Sequence, residues 1–247
     1  MTQKIKNRYF HFTSNNFDGA GLAVNNLHSE MILNGIKSFL FIKESKNAID
    51  KTYLIKSKSK FINFKLLLKK KLREFDLLRY FNFFVNNKLN FKLSLHFDEM
   101  SHDLFEKFII TENDIFIIYG INNVVDFKFL DKYKNNKIFI YPLDMEPLTG
   151  GCHFNFDCVS YLNLCNKCQI DNYKNKYSFY NSANVKFIAA NKGIYSLIQS
   201  INLINNNQLY LSYLITKISR YEYINQKTAR NFFNLPDNKY IILNLSI

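Results

Sequence analysis

The chain has no tryptophan and, in 247 residues, only three prolines, four cysteines and seven glycines. So little Gly and Pro excludes collagen-like repeats, long low-complexity structure and a Pro-rich linker. No window approaches the ~18 consecutive uncharged apolar residues that a membrane-spanning helix needs. The opening MTQKIKNRYF is charged, and no apolar stretch of signal-peptide length follows it. The expected compartment is therefore the cytoplasm. Acid is also scarce: 20 acidic against 33 basic residues gives a formal charge of +13. That balance favours anionic partners, whether nucleotide phosphates, an anionic lipid surface or nucleic acid, and does not choose among them.

What is present is apolar mass: 47% of residues are hydrophobic, enough for the core of one large α/β domain. The abundance of Asn, Lys, Phe, Ile and Tyr reads as composition bias, so single aromatics carry little functional weight. Apolar runs alternate with helical patterns, which predicts a parallel sheet. Tyr9 to Thr13 reads as a strand, Ser14 to Gly21 as a loop, Leu22 to Asn34 as a helix stopped at Asn34-Gly35, and Ser38 to Ile42 as a buried strand. Strand, small-residue loop, helix and strand form the opening unit of a Rossmann-like domain. Residues Asp114 to Tyr119, Lys137 to Tyr141 and Val185 to Ala189 read as further strands. Phe61 to Phe84 is the most helical stretch, with Phe61, Phe64, Leu68, Leu72 and Phe75 at steps of three or four and lysines filling the rest. It fits a core helix with a solvated lysine face, or a helix lying on an anionic membrane. Pro142 to Ala183 reads as one long functional loop. Gln226 to Asn234 reads as a helix ended at Leu235-Pro236-Asp237, and Lys239 to Leu245 as a fresh buried strand. The expected division is a domain over 1–235, with 236–247 the link and first strand of a second, missing α/β domain.

All four cysteines, Cys152, Cys158, Cys165 and Cys168, fall in the long loop with spacing C-x5-C-x6-C-x2-C. Four thiolates would close a tetrahedral structural zinc site, of which C-x-x-C is a standard half. Reduced thiols packed as small hydrophobes fit the same spacing.

The same loop carries a longer pattern. LDMEPLTGGCHF (Leu143 to Phe154), followed by Asp157, Cys158, Tyr161, Cys165 and Cys168, resembles the DM-x-PLTGGCHY, C, C-x-x-C-P signature of a branch of the family-4 (group 1) glycosyltransferases. FDGAGLAVNNLH (Phe17 to His28) resembles the opening Gly-Gly-Ala loop and helix of that family. DIFIIYGIN (Asp114 to Asn122) resembles its DI-x-x-LHWIN strand, and QKTARNFFNLPDNKYIIL (Gln226 to Leu243) its link into the nucleotide-sugar domain. The chain departs from the pattern at Leu143, where many relatives have His, at Tyr119-Gly120 in place of His-Trp, at Gln169 in place of Pro, and at Asp18 in place of the first loop glycine.

The resemblance implies the GT-B fold, two Rossmann-like domains facing across a cleft, of which this chain would be the N-terminal, acceptor-side half. It implies a hexosyltransferase that moves a sugar from a nucleotide-sugar donor to a glycan or lipid-linked acceptor in surface polysaccharide biosynthesis, with no metal in catalysis. The expected partners are that donor and acceptor, a separately encoded C-terminal domain and a peripheral membrane contact, with no nucleic acid. Gly19, Ala20 and Gly21 would bring backbone amides at a helix start to a donor diphosphate; alternatively they are an ordinary turn, with Asp18 as helix cap. Thr149, Gly150 and Gly151 would let the backbone approach donor or acceptor closely. His153 would hydrogen-bond a sugar or assist removal of the acceptor hydroxyl proton, or only brace the cysteine loop. Asp144 would stand where open α/β sheets hold ligands. Two other functions compete. One is a non-catalytic remnant or split-gene half that binds a glycan or partner. The other is a nucleic-acid-binding zinc module, which lacks a C2H2 pattern or an RNA-binding aromatic motif.

Overall fold

A computed structural model describes residues 7–46, 50–57, 100–101, 105, 107–120, 124–125, 127–154, 158–163, 165, 172–201, 208–213 and 224–240. The helix expected over 61–84, Cys168, Gln169 and residues 241–245 of the last expected strand lie outside them. The chain divides into two compact units, Met1–Ile215 and Thr216–Ile247.

In the first unit, strand β1 (Arg8–Asn15) leads into helix α1 (Gly19–Leu33) and strand β2 (Lys37–Glu44). A short strand β3 (Thr52–Leu54) follows, then an antiparallel pair of β4 (Lys56–Ser57) and β5 (Met100–Ser101). Next come β6 (Ile115–Ile118), α2 (Phe127–Asp131), β7 (Lys137–Ile140), α3 (Asn172–Ser182), β8 (Val185–Ala189), α4 (Lys192–Ser200) and β9 (Leu209–Leu211). Seven strands form one all-parallel sheet in the order β3-β2-β1-β6-β7-β8-β9. The architecture is α/β and Rossmann-like, as the strand–helix alternation predicts. The second unit contains helix α5 (Gln226–Phe232), capped by Asn225, whose side chain accepts from the Thr228 amide at 2.9 Å.

Period-two alternation sorts each strand's side chains to two faces. Phe10 and Phe12 on β1, Phe41 on β2, Phe116 and Ile118 on β6, Ile138 and Ile140 on β7 and Phe187 on β8 pack on one face. There they meet Phe129 of α2, Phe179 and Tyr180 of α3 and Ile198 of α4. Each wholly buried Phe of this cluster contributes on the order of 2–3 kcal/mol. Val24 of α1 packs with Leu40, Ile42, Tyr119 and Tyr141 on the opposite face. Right-handed crossovers explain this split. The chain runs from β1 toward β3 in one direction and from β6 toward β9 in the other, so its helices fall on opposite faces.

The segment expected as one loop from 142 to 183 instead closes with α3. Its sequence, NYKNKYSFYNS, is mostly polar, so its helical period is thin. Over 176–182, where burial is described, Lys176, Phe179 and Tyr180, at i, i+3 and i+4, are the buried residues.

Candidate functional site

The strand order reverses between β1 and β6, and ligands of open α/β sheets bind outside the C-terminal strand ends at such a switch. Because β1, β6 and β7 are parallel neighbours, the segments that leave their C-terminal ends emerge from one edge of the sheet. These are the turn Asn16 to Asp18 with the start of α1, where Gly19 to Gly21 form the first helical turn rather than the end of the expected Ser14–Gly21 loop, together with Tyr119-Gly120 and the stretch from Tyr141 to His153. The glycine turn and the Thr149–His153 stretch therefore belong to the same edge, two strands apart.

The turn after β1 is held by its own side chains. Asn15 Oδ1 accepts from the amides of Phe17 at 3.1 Å and Asp18 at 3.0 Å. Asp18 is the N-cap of α1: its Oδ1 accepts from the Gly21 amide at 2.7 Å, and its Oδ2 accepts from Asn15 Nδ2 at 2.6 Å. A carboxylate thus sits at the positive end of the helix dipole, where a diphosphate would otherwise be stabilised. Gly21 and Gly19 differ sharply. A Cβ on Gly21 would lie 2.3 Å from Asn15 Oδ1 and 2.4 Å from Asn15 O, whereas one on Gly19 would meet nothing within 4 Å. Gly21 is therefore required by the approach of α1 to the end of β1. Ala20 is half-buried beside it.

The stretch after β7 makes a compact hairpin-like turn. Met145 N donates to His153 O at 3.3 Å, and Glu146–Leu148 forms one 3-10 turn. Asp144 Oδ1 accepts from the Glu146 amide at 2.8 Å, and Asp144 Oδ2 pairs with His153 Nδ1 at 2.5 Å. The Asp144 side chain is 36% exposed and that of His153 16%. A carboxylate oxygen only accepts, so Nδ1 carries the proton and the basic nitrogen of the neutral ring is Nε2. Thr149, Gly150 and Gly151 are buried within this turn. Thr149 Oγ1 donates to Cys152 O at 2.9 Å and accepts from the Gly151 amide at 3.2 Å. Gly151 has φ 139°, a conformation side chains rarely adopt.

Beneath the turn lies a buried ion pair that the sequence did not single out. Lys176 Nζ, from α3, reaches Glu146 Oε1 at 2.6 Å, Glu146 O at 2.5 Å and Thr149 O at 3.1 Å. Lys176 is wholly buried and Glu146 nearly so. Tyr180 OH, one turn further along α3, donates to Pro147 O at 2.9 Å. Among so many lysines, only the i, i+3, i+4 set of Lys176, Phe179 and Tyr180 could have marked this one out.

A second buried group lies behind the switch point. His11 of β1 is fully buried, with Nδ1 3.1 Å from Tyr119 OH and its ring stacked on that of Tyr119. Burial, and secondarily repulsion from His28, push the His11 pKa down to about 3, so the ring is neutral. Burial, helped by Tyr141, raises the Tyr119 pKa. His28 of α1 donates Nε2–H to Asp50 O at 2.9 Å, which leaves Nδ1 to accept from Ser38 at 2.7 Å. Its pKa is lowered mainly by burial. A phenol and a neutral imidazole from neighbouring strands thus stand against each other behind the switch point.

Cys168, the fourth of the expected zinc ligands, lies outside the described residues, and Cys152, Cys158 and Cys165 do not by themselves gather as a ligand set. Among the described residues, no three His, Cys, Asp or Glu side chains come together as a metal site requires, and no disulfide joins Cys152, Cys158 and Cys165. Cys165 is buried with φ 51°. Among the described residues, no helix is long and apolar enough to cross a membrane. No protein-family model matches the chain, and a search of curated proteins finds no match.

Proposed function

We propose that this chain is the acceptor-side half of a GT-B glycosyltransferase, transferring a hexose from a nucleotide-sugar donor, held by a partner domain, to a glycan or lipid-linked acceptor. One observation carries the reading. The Asp144–His153 pair lies on the segment that leaves the C-terminal end of β7, at the sheet edge shared with the glycine turn of the switch point. In this reading Asp144 holds the Nδ1–H tautomer of His153, and Nε2 hydrogen-bonds a sugar hydroxyl or takes its proton during transfer. The buried Thr149–Gly151 turn shapes the backbone around that imidazole. The Asp18 carboxylate turns the α1 end toward a neutral sugar and away from a phosphate, which agrees with a donor diphosphate held mainly by the partner domain. The net charge of +13 suits an acceptor carried on an anionic lipid.

The test, with a nucleotide-sugar-binding domain supplied, is transfer of radiolabelled sugar from a panel of nucleotide sugars to oligosaccharide and polyprenyl-linked acceptors, with acceptor binding to this chain followed by saturation-transfer NMR. The expected result is acceptor binding and labelled product, both lost in His153→Ala. Binding without transfer, in the presence of a nucleotide-sugar-binding domain, would favour a glycan-binding protein. No binding and no transfer across the panel would refute the proposal.

A further inference from the structure

The Asp144–His153 pair is half-exposed, and a half-exposed pair on a glycine-rich turn holds one geometry only if something beneath fixes the turn. Three acceptors converge on one ammonium there: Glu146 Oε1, Glu146 O and Thr149 O all lie within 3.1 Å of Lys176 Nζ. Lys176 has three N–H donors, so this set can use all of them. The two backbone carbonyls bracket the 3-10 turn Glu146–Leu148. The Glu146 amide, in the same residue, donates to Asp144 Oδ1, and the other Asp144 oxygen holds His153. The path is therefore continuous: Lys176 Nζ, the main chain of Glu146 from its carbonyl to its amide, the Asp144 carboxylate, His153 Nδ1. A buried ion pair is a poor stabiliser compared with apolar residues of similar volume, because both ions lose their water. Its value lies in geometry, since it fails unless every member is in place.

We infer that Lys176, with Glu146, is a positioning residue that sets the tautomer and orientation of His153 through Asp144. What the oriented imidazole does rests on the sugar-transfer reading; the positioning itself does not. Lys176 touches neither substrate nor reacting atom and acts only through the turn.

The experiment uses 15N-histidine-labelled protein and long-range 1H–15N correlation spectra of His153 at a pH where its ring is neutral. Wild type is expected to show the Nδ1–H tautomer. Lys176→Met, which removes the ammonium from beside buried Glu146, and Lys176→Met/Glu146→Leu, which removes both charges of the pair, are both expected to shift His153 toward the Nε2–H form ordinarily preferred by unrestrained imidazole. The exchange rate of the Nδ1 proton should rise at least about tenfold, as loss of one charge-assisted hydrogen bond implies. Far-UV circular dichroism and melting check that the fold persists. If the folded double variant keeps the wild-type tautomer and exchange rate, the positioning role is wrong. If neither variant folds, the pair is a core determinant, and the positioning role is likewise overturned. A tautomer shift in a protein that transfers no sugar would sustain this inference while removing the proposed function. Transfer with an unchanged tautomer would do the reverse.

Discussion

Replacing Gly21 with Ala asks whether the small-residue turn exists for the chain's own packing. The added Cβ would meet Asn15 Oδ1 at 2.3 Å and Asn15 O at 2.4 Å, with Asn15 C at 2.8 Å. Two of these three atoms are backbone at the last residue of β1, so relief requires α1 to move away from the sheet. Overpacking of this kind costs about 1–3 kcal/mol, and a backbone obstacle puts it at the upper end. Ala regains roughly 0.5–1 kcal/mol of helix propensity. The net loss is then about 2 kcal/mol, or roughly 4–8 °C in melting temperature for a unit of this size. Gly19→Ala is the control: its Cβ meets nothing within 4 Å, so its stability should match wild type or exceed it by up to ~1 kcal/mol. Denaturant unfolding followed by far-UV circular dichroism suits a chain without tryptophan. Equal stabilities for the two variants, within about 0.5 kcal/mol, would show that the helix start is not built around the contact with Asn15.

The Asp18 cap should behave as a cap: Asp18→Ala is expected to cost about 1 kcal/mol in denaturant unfolding, and Asp18→Asn only a few tenths, because Asn caps nearly as well. Stability should fall on acidification through His11. Its folded pKa of about 3 lies below the ordinary value of 6.5, so the unfolded chain takes the proton first. The stabilisation is full above about pH 6.5 and is lost as pH falls toward 3, at about 1.4 kcal/mol per unit. Unfolding curves at pH 7 and pH 5 should therefore differ less in His11→Asn, which keeps a partner for Tyr119, than in wild type; an unchanged difference would refute the assignment. In the transfer assay, His153→Ala should lower kcat/KM by about 100-fold or more, as loss of a proton-transfer group does. Asp144→Asn should lower it less, since it disturbs the tautomer and leaves the ring; a His153→Ala enzyme with full activity would remove His153 from the chemistry.

The parallel sheet was legible because buried strands such as IFII and KIFI are short continuous apolar runs, and because Asp18 and Asn34-Gly35 bound the first helix as their chemistry requires; its start at Gly19, three residues before the expected Leu22, was not. The motif Leu143 to Phe154 likewise marked the stretch that bears Asp144 and His153. Composition and periodicity act locally, so they could say this much and no more. That Asp144 faces His153 nine residues on, that Lys176 is buried thirty residues away under Glu146, and that His11 stands against Tyr119 across two strands are decisions of tertiary packing. Local signals along the chain were enough to order the strands on either side of the switch point and the helix between β1 and β2. Only the folded chain decided which lysine, among many that sequence cannot tell apart, gave up its water to hold the turn, because desolvation and pairing depend on neighbours that are distant along the chain.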